Sequence, residues 1–131
     1  MAGQSVDPNL VNSKVNRRIL LGALWLCHFA LWTFGDMFAL AQQMTEPVTS
    51  TLILFVAPST AIVQALMVLT SLVGGYALAR WANMIVVLAY LLFNIGFLVD
   101  ATEGWEYYLG AFYIVFNVLI FWTALKWTTE D

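Results

Sequence analysis

The chain has 131 residues, of which 62% are apolar, 15% aromatic and only 10% charged, with a mean hydropathy of +0.82. A soluble domain carries roughly 45–50% apolar and about 25% charged residues, and a disordered chain is less apolar still, so both classes are excluded. Five Lys and Arg against eight Asp and Glu give a formal net charge of −3, which leaves no basic field to attract nucleic acid.

What remains is an integral membrane protein with room for about four spans of roughly 20 residues. Residues 1–16, with Gly3, Asp7, Pro8 and Asn9, read as a flexible polar leader. The first span, 19–40, holds one charge, Asp36. Arg17-Arg18 before it and Ala39-Leu40-Ala41 at its end would also suit a secretory signal, but the apolar stretch is long for that role, so a retained span is preferred. Gln42, Gln43, Glu46 and Pro47 mark the first loop. Pro58 then divides a long apolar stretch, because proline is tolerated in a first helical turn and disfavoured inside a helix. The second span is therefore placed at 58–79, with 51–57 as an interfacial or re-entrant lead-in. Arg80-Trp81-Ala82-Asn83 serves as a tight turn into a third span, 81–99. After an acidic turn carrying Asp100, Glu103 and Glu106 comes a fourth span, 105–126, and then a short acidic tail, 128–131. The expected fold is all-α: an antiparallel four-helix transmembrane bundle forming one domain, 17–127.

Cations are held on the cytoplasmic side of a membrane. Lys14, Arg17, Arg18, Arg80 and Lys126 all fall on one side of this four-span arrangement, and the opposite loops carry Glu46, Asp100, Glu103 and Glu106 with no Lys or Arg. Both termini are thus expected in the cytoplasm. Trp25, Trp81, Trp105, Trp122 and Trp127 lie near span ends and read as interfacial anchors.

Polar side chains at membrane depth are costly against lipid, so they turn inward, pair or line a cavity. On the first span His28, Trp32 and Asp36 follow at i, i+4 and i+8, on one helical face, with Asp36 about 12 Å beyond His28 at 1.5 Å per residue. Gln64 and Ser71 share a face of the second span, Asn83, Tyr90 and Asn94 are aligned on the third, and Tyr113 and Asn117 on the fourth. Taken by depth, His28, Asp36, Gln64, Asn94 and Asn117 gather between the middle and the outer third of the membrane. Amides alone suffice as interhelical hydrogen-bonding groups. Asp36 lacks any Lys or Arg in the outer half to neutralise it, so either it snorkels to the interface or His28, a Tyr, a Trp or an amide must serve.

No phosphate-binding loop, His-Glu-x-x-His helix or nucleophile elbow occurs. One cysteine, Cys27, and one histidine, His28, cannot form a zinc cage. A retinal Schiff base would need a lysine within a span, and a bis-His haem a second histidine. No catalytic residue, metal set or cofactor is assigned.

The segment Arg18-Ile-Leu-Leu-Gly-Ala-Leu-Trp25, with Asp36 at the end of the first span and Arg80-Trp81-Ala82-Asn83 opening the third, resembles a family of small four-span prokaryotic membrane proteins known as a domain of unknown function. The likeness runs from about Arg18 to Trp127. At greater distance the chain is similar in size and span count to DoxX-type four-helix membrane proteins, some of them linked to quinone or thiol redox systems, although a single cysteine supplies no thiol pair. The resemblance implies a four-helix fold in a prokaryotic inner (plasma) membrane and brings no active site with it.

Two functions follow. In the first, a homo-oligomer binds or transports a small molecule, proton or cation through an outward-side polar pocket of His28, Asp36, Gln64, Asn94 and Asn117, flanked by Trp32, Tyr90 and Tyr113; for a proton or cation, Asp36 is the carrier and His28 the relay. In the second, the chain is an accessory subunit packed against a larger membrane complex, with the lipid bilayer as its other partner. An enzyme acting on a lipid or quinone lacks a nucleophile–base pair, since Cys27 and His28 are adjacent and point about 100° apart on a helix.

Overall fold

The computed structural model describes residues 16–42 and 49–129. The expected leader apart from Asn16, the loop residues Gln43, Glu46 and Pro47, and the last two residues of the tail lie outside these. Four helices follow in order: α1 (Arg17–Ala41), α2 (Thr51–Val73), α3 (Tyr76–Asp100) and α4 (Gly104–Leu125). Each is long and apolar enough to cross a bilayer, so the chain is a multi-pass membrane protein. Outward faces carry Leu52, Phe55, Leu92 and Val99, all widely exposed, as a lipid-facing surface requires.

The helices close into an antiparallel ring in which each packs on its chain neighbours and α1 also packs on α4. The α2–α3 contact is the thinnest, and across the diagonals no backbones approach. Close packing is set by small residues. A Cβ on Gly110 would collide with Leu98 of α3, one on Gly35 with the Tyr113 hydroxyl of α4, and one on Gly22 would press Leu72 of α2 at 3.3 Å. Small residues bring membrane helices near enough for dispersion contact where no hydrophobic force drives them together.

The second and third spans depart from the sequence-based boundaries. α2 begins at Thr51, seven residues before the proline, and contains Pro58 in its interior. Pro58 offers no N–H to the Leu54 carbonyl, yet the helix continues through it; on the same turns Ser59 Oγ donates to the Phe55 carbonyl at 2.7 Å and Thr60 Oγ1 to that of Ala57 at 2.6 Å. The break falls at Gly74-Gly75, and α3 is already helical at Tyr76. Arg80-Trp81-Ala82-Asn83 is therefore helix, not turn.

Arg80 is instead part of a set of arginines that bond exposed carbonyls at helix C-termini. It donates to the Ala124 and Leu125 carbonyls at the end of α4, both at 3.1 Å. Arg17 reaches the Thr123 carbonyl at 3.0 Å, and Arg18 reaches those of Ser71 and Gly74 at the end of α2, at 3.2 and 2.6 Å. The last four carbonyls of a helix lack intrahelical donors and carry partial negative charge, so guanidinium groups are well matched to them. At the same end Arg18 lies over the Trp127 ring at 5.1 Å, and the Tyr76 hydroxyl donates to the Trp127 carbonyl at 2.8 Å. The opposite end is acidic: Asp36 and Asp100 lie near the ends of α1 and α3, and α4 opens with a capping box between Glu103 and Glu106.

Candidate functional site

His28, Gln64, Asn94 and Asn117 meet in the middle of the bundle, one from each helix, at 0, 1, 1 and 2% exposure. Their hydrogen bonds have a fixed polarity. An indole N–H can only donate, and Trp32 Nε1 lies 2.8 Å from Asn94 Oδ1, so the Asn94 amide nitrogen faces the other way. It donates to Asn117 Oδ1 at 2.7 Å and to His28 Nε2 at 3.1 Å. An accepting Nε2 places the imidazole proton on Nδ1, which donates to Gln64 Oε1 at 2.7 Å. Gln64 Nε2 then donates to the Thr60 carbonyl at 3.2 Å, and the Tyr90 hydroxyl donates to that same carbonyl. One donor-only group on α1 thus sets the orientation of three side chains on three helices. Trp32, Tyr90 and Tyr113 enclose the imidazole with ring centroids 5.4, 5.6 and 6.0 Å away.

Asn117 Nδ2 is the one buried side-chain polar atom without a hydrogen-bond partner among the described residues. Asn117 borders a cavity of about 150 Å³ between α3 and α4, walled by Leu91, Phe121 and Trp122.

A second cluster, lower in the bundle, has the same polarity. Trp25 Nε1 donates to Asn83 Oδ1 at 2.7 Å, and the Asn83 amide nitrogen donates to Ser71 Oγ at 3.1 Å and to the Ala79 carbonyl at 2.7 Å. Trp25 is completely buried and Trp127 nearly so, which corrects their assignment as interfacial anchors; Trp81 and Trp122 remain exposed. In both clusters a tryptophan of α1 bonds an asparagine of α3 across the diagonal. The only sequence signal was the coincidence of an indole and an amide at equal depth.

Asp36 stands apart from this network. It is exposed and has no hydrogen-bond or ion-pair partner among the described residues, so no bonded path joins it to His28. It lines a cavity of about 460 Å³ at the acidic end, to which all four helices contribute. Trp32, Asn94 and Tyr113 of the network border the cavity on its inner side, and His28, Gln64 and Asn117 do not. The aromatic rings of the wall are contiguous: Trp32 lies 6.3 Å from both Phe93 and Tyr113, and Tyr113 lies 5.4 Å from Phe97. The Tyr113 hydroxyl donates across to the Leu31 carbonyl at 3.2 Å. Glu106 also lines the cavity, with one carboxylate oxygen accepting from the amide N–H groups of Thr102 and Glu103 at 3.1 and 3.0 Å.

An apolar cleft of about 440 Å³ runs between α2 and α3, where the helices are least closely packed, and is bordered by Tyr90. It shares Thr60 and Phe93 with the acidic-end cavity. Among the described residues no three His, Cys, Asp or Glu side chains are grouped as a metal ion would require, and Cys27 is exposed while its neighbour His28 is buried. The eight residues singled out from sequence are therefore divided: seven engage one another, directly or through shared groups, and Asp36 makes no bond to them but shares the acidic-end cavity with Trp32, Asn94 and Tyr113. Comparison with family models, with curated proteins and with solved structures finds no match to the chain.

Proposed function

We propose that this chain is a membrane-embedded binding protein whose site is the acidic-end cavity, open toward the non-cytoplasmic side of a prokaryotic plasma membrane. The observation that carries the reading is a cavity of about 460 Å³ to which every helix contributes. That volume lies within the range of about 300–1,000 Å³ typical of small-molecule sites, which are mostly apolar with a few convergent polar groups. The orientation rests on the arginines and Lys126 at the opposite end.

The site ends blindly. Beneath it the His28 network is saturated along its main line, and below that the Trp25 cluster, Leu21 and Ile120 fill the core. This favours binding over a continuous proton path. Carrying a ligand onward would require helix movement and more enclosed surface than four spans supply, so transport in this reading is the work of a homo-oligomer.

The test is accessibility from one side. In a Cys27→Ala background, Ala57→Cys in the cavity wall should react with a membrane-impermeant thiol reagent added outside intact spheroplasts. Lys126→Cys should react only after permeabilisation. Reaction of Lys126→Cys but not Ala57→Cys from outside would overturn the orientation, and an Ala57→Cys that stays unreactive from both sides would overturn the cavity.

A further inference from the structure

We propose that the cavity selects an organic ammonium ion carrying an apolar group; the inference rests on the reading of this cavity as the ligand site. Charge comes first. Asp36 and Glu106 line the space, and among the described residues no Lys, Arg or His does. Arg17, Arg18 and Arg80 are at the far end of the bundle, bonded to helix carbonyls. The local field therefore repels anions and attracts cations. Glu106 is held by the start of α4 through its bonds to Thr102 and Glu103, whereas Asp36 has no partner among the described residues. Its carboxylate is open to the cavity and engaged by no hydrogen bond or ion pair among the described residues, so it is available to a cation entering there.

The wall decides which cation. Hard inorganic cations take about six to eight oxygen ligands, but this cavity is lined mainly by carbon, with the rings of Trp32, Phe93, Phe97 and Tyr113 forming one continuous surface. Aromatic faces attract cations that shed water easily, as alkylammonium groups do, and each such contact strengthens when desolvated. The apolar cleft between α2 and α3 adjoins the cavity at Thr60 and Phe93. An ammonium group beside Asp36 can therefore extend an aryl or alkyl substituent toward the lipid without leaving the protein.

The experiment compares molecules of one shape and different charge. Phenyltrimethylammonium, its neutral isostere tert-butylbenzene and the anion benzenesulfonate are titrated against the full chain in nanodiscs, with tryptophan fluorescence as readout. Phenyltrimethylammonium should bind saturably and at least about tenfold more tightly than either other probe, a ratio within reach of one desolvated cation–π contact plus one ion pair. Asp36→Asn should weaken it by about tenfold or more while leaving tert-butylbenzene unchanged, and Asp36→Glu should retain most of the affinity. Because Asp36 holds no other described residue, either variant should fold. Equal binding of the neutral isostere, or indifference to Asp36→Asn, would overturn the ammonium assignment. So would outside labelling of Ala57→Cys with no saturable binding of phenyltrimethylammonium, an outcome that leaves the cavity itself standing.

Discussion

Replacing Asn94 by leucine, which is nearly isosteric, removes the centre of the buried network. The substitution deletes three hydrogen bonds: one accepted from Trp32 Nε1 and two donated to His28 Nε2 and Asn117 Oδ1. At an average of about 0.6 kcal/mol per interhelical bond within a membrane protein, the lower bound is about 2 kcal/mol. Buried His28 and Asn117 and half-buried Trp32 each lose a partner, and at about 1 kcal/mol for each fully buried orphaned group the loss rises toward about 4 kcal/mol. Asn117 provides the internal control. Its amide nitrogen is already unpartnered, so Asn117→Leu alone exchanges one bond for relief of one unsatisfied donor and should cost less than about 1 kcal/mol. In the Asn94→Leu background the Asn117 amide has no described partner at either end, and the same change should be neutral or stabilising. Reversible unfolding in mixed micelles of denaturing and mild detergent would measure all four corners of the cycle. A cost below about 1 kcal/mol for Asn94→Leu, or strict additivity with Asn117→Leu, would refute the network as described.

Gly35→Ala drives a methyl group into the Tyr113 hydroxyl and should cost about 1–3 kcal/mol through overpacking and loss of the bond to the Leu31 carbonyl. Combining it with Tyr113→Phe, which removes the obstructing oxygen, should recover the overpacking part of that loss but not the hydrogen bond, so the double variant should match Tyr113→Phe alone in the same unfolding assay. Arg18→Ala leaves the Ser71 and Gly74 carbonyls without the guanidinium and should destabilise by about 1.5–3 kcal/mol, the usual worth of a hydrogen bond to a charged group, with faster amide exchange confined to the end of α2. Trp25→Phe should release the Asn83 amide, lower stability by about 1–2 kcal/mol and leave ligand binding at the acidic end unchanged, because the two clusters share no hydrogen bond.

The number of helices and the membrane class were legible from apolar run lengths and from where the charges fall, because spanning a bilayer imposes a length that few other structures need. The α2–α3 boundary was not. A rule drawn from soluble helices gave too much weight to Pro58, whereas α2 runs through the proline and Gly74-Gly75 provides the turn. The polar stripes were legible as stripes, since spacings of three, four, seven and eleven residues return to one helical face. Which stripes meet was not legible, because that depends on the order of helices around the ring and on the close approaches that Gly22, Gly35 and Gly110 allow. Two consequences of the ring were only weakly signalled in the sequence. Trp25 and Trp32 reach across the diagonal to Asn83 and Asn94, and Asp36, although on the same face as His28, lies beyond the network in the cavity above it. The arginines were read as markers of topology; they also bond the helix ends, a role visible only once the C-termini of α2 and α4 are seen beside the N-termini of α1 and α3.

The account depends on one claim above the others: that the polar groups at membrane depth engage one another with a fixed polarity and floor the cavity, rather than lining a wet path. His28 is the single histidine, so its two ring nitrogens can be read without ambiguity in the ¹⁵N spectrum of the labelled protein in nanodiscs. The account predicts a proton on Nδ1, none on Nε2, and slow exchange of the Nδ1 proton when the sample is moved to heavy water. A proton on Nε2, or rapid exchange at Nδ1, would contradict it by showing that Asn94 does not donate to the imidazole or that water reaches it.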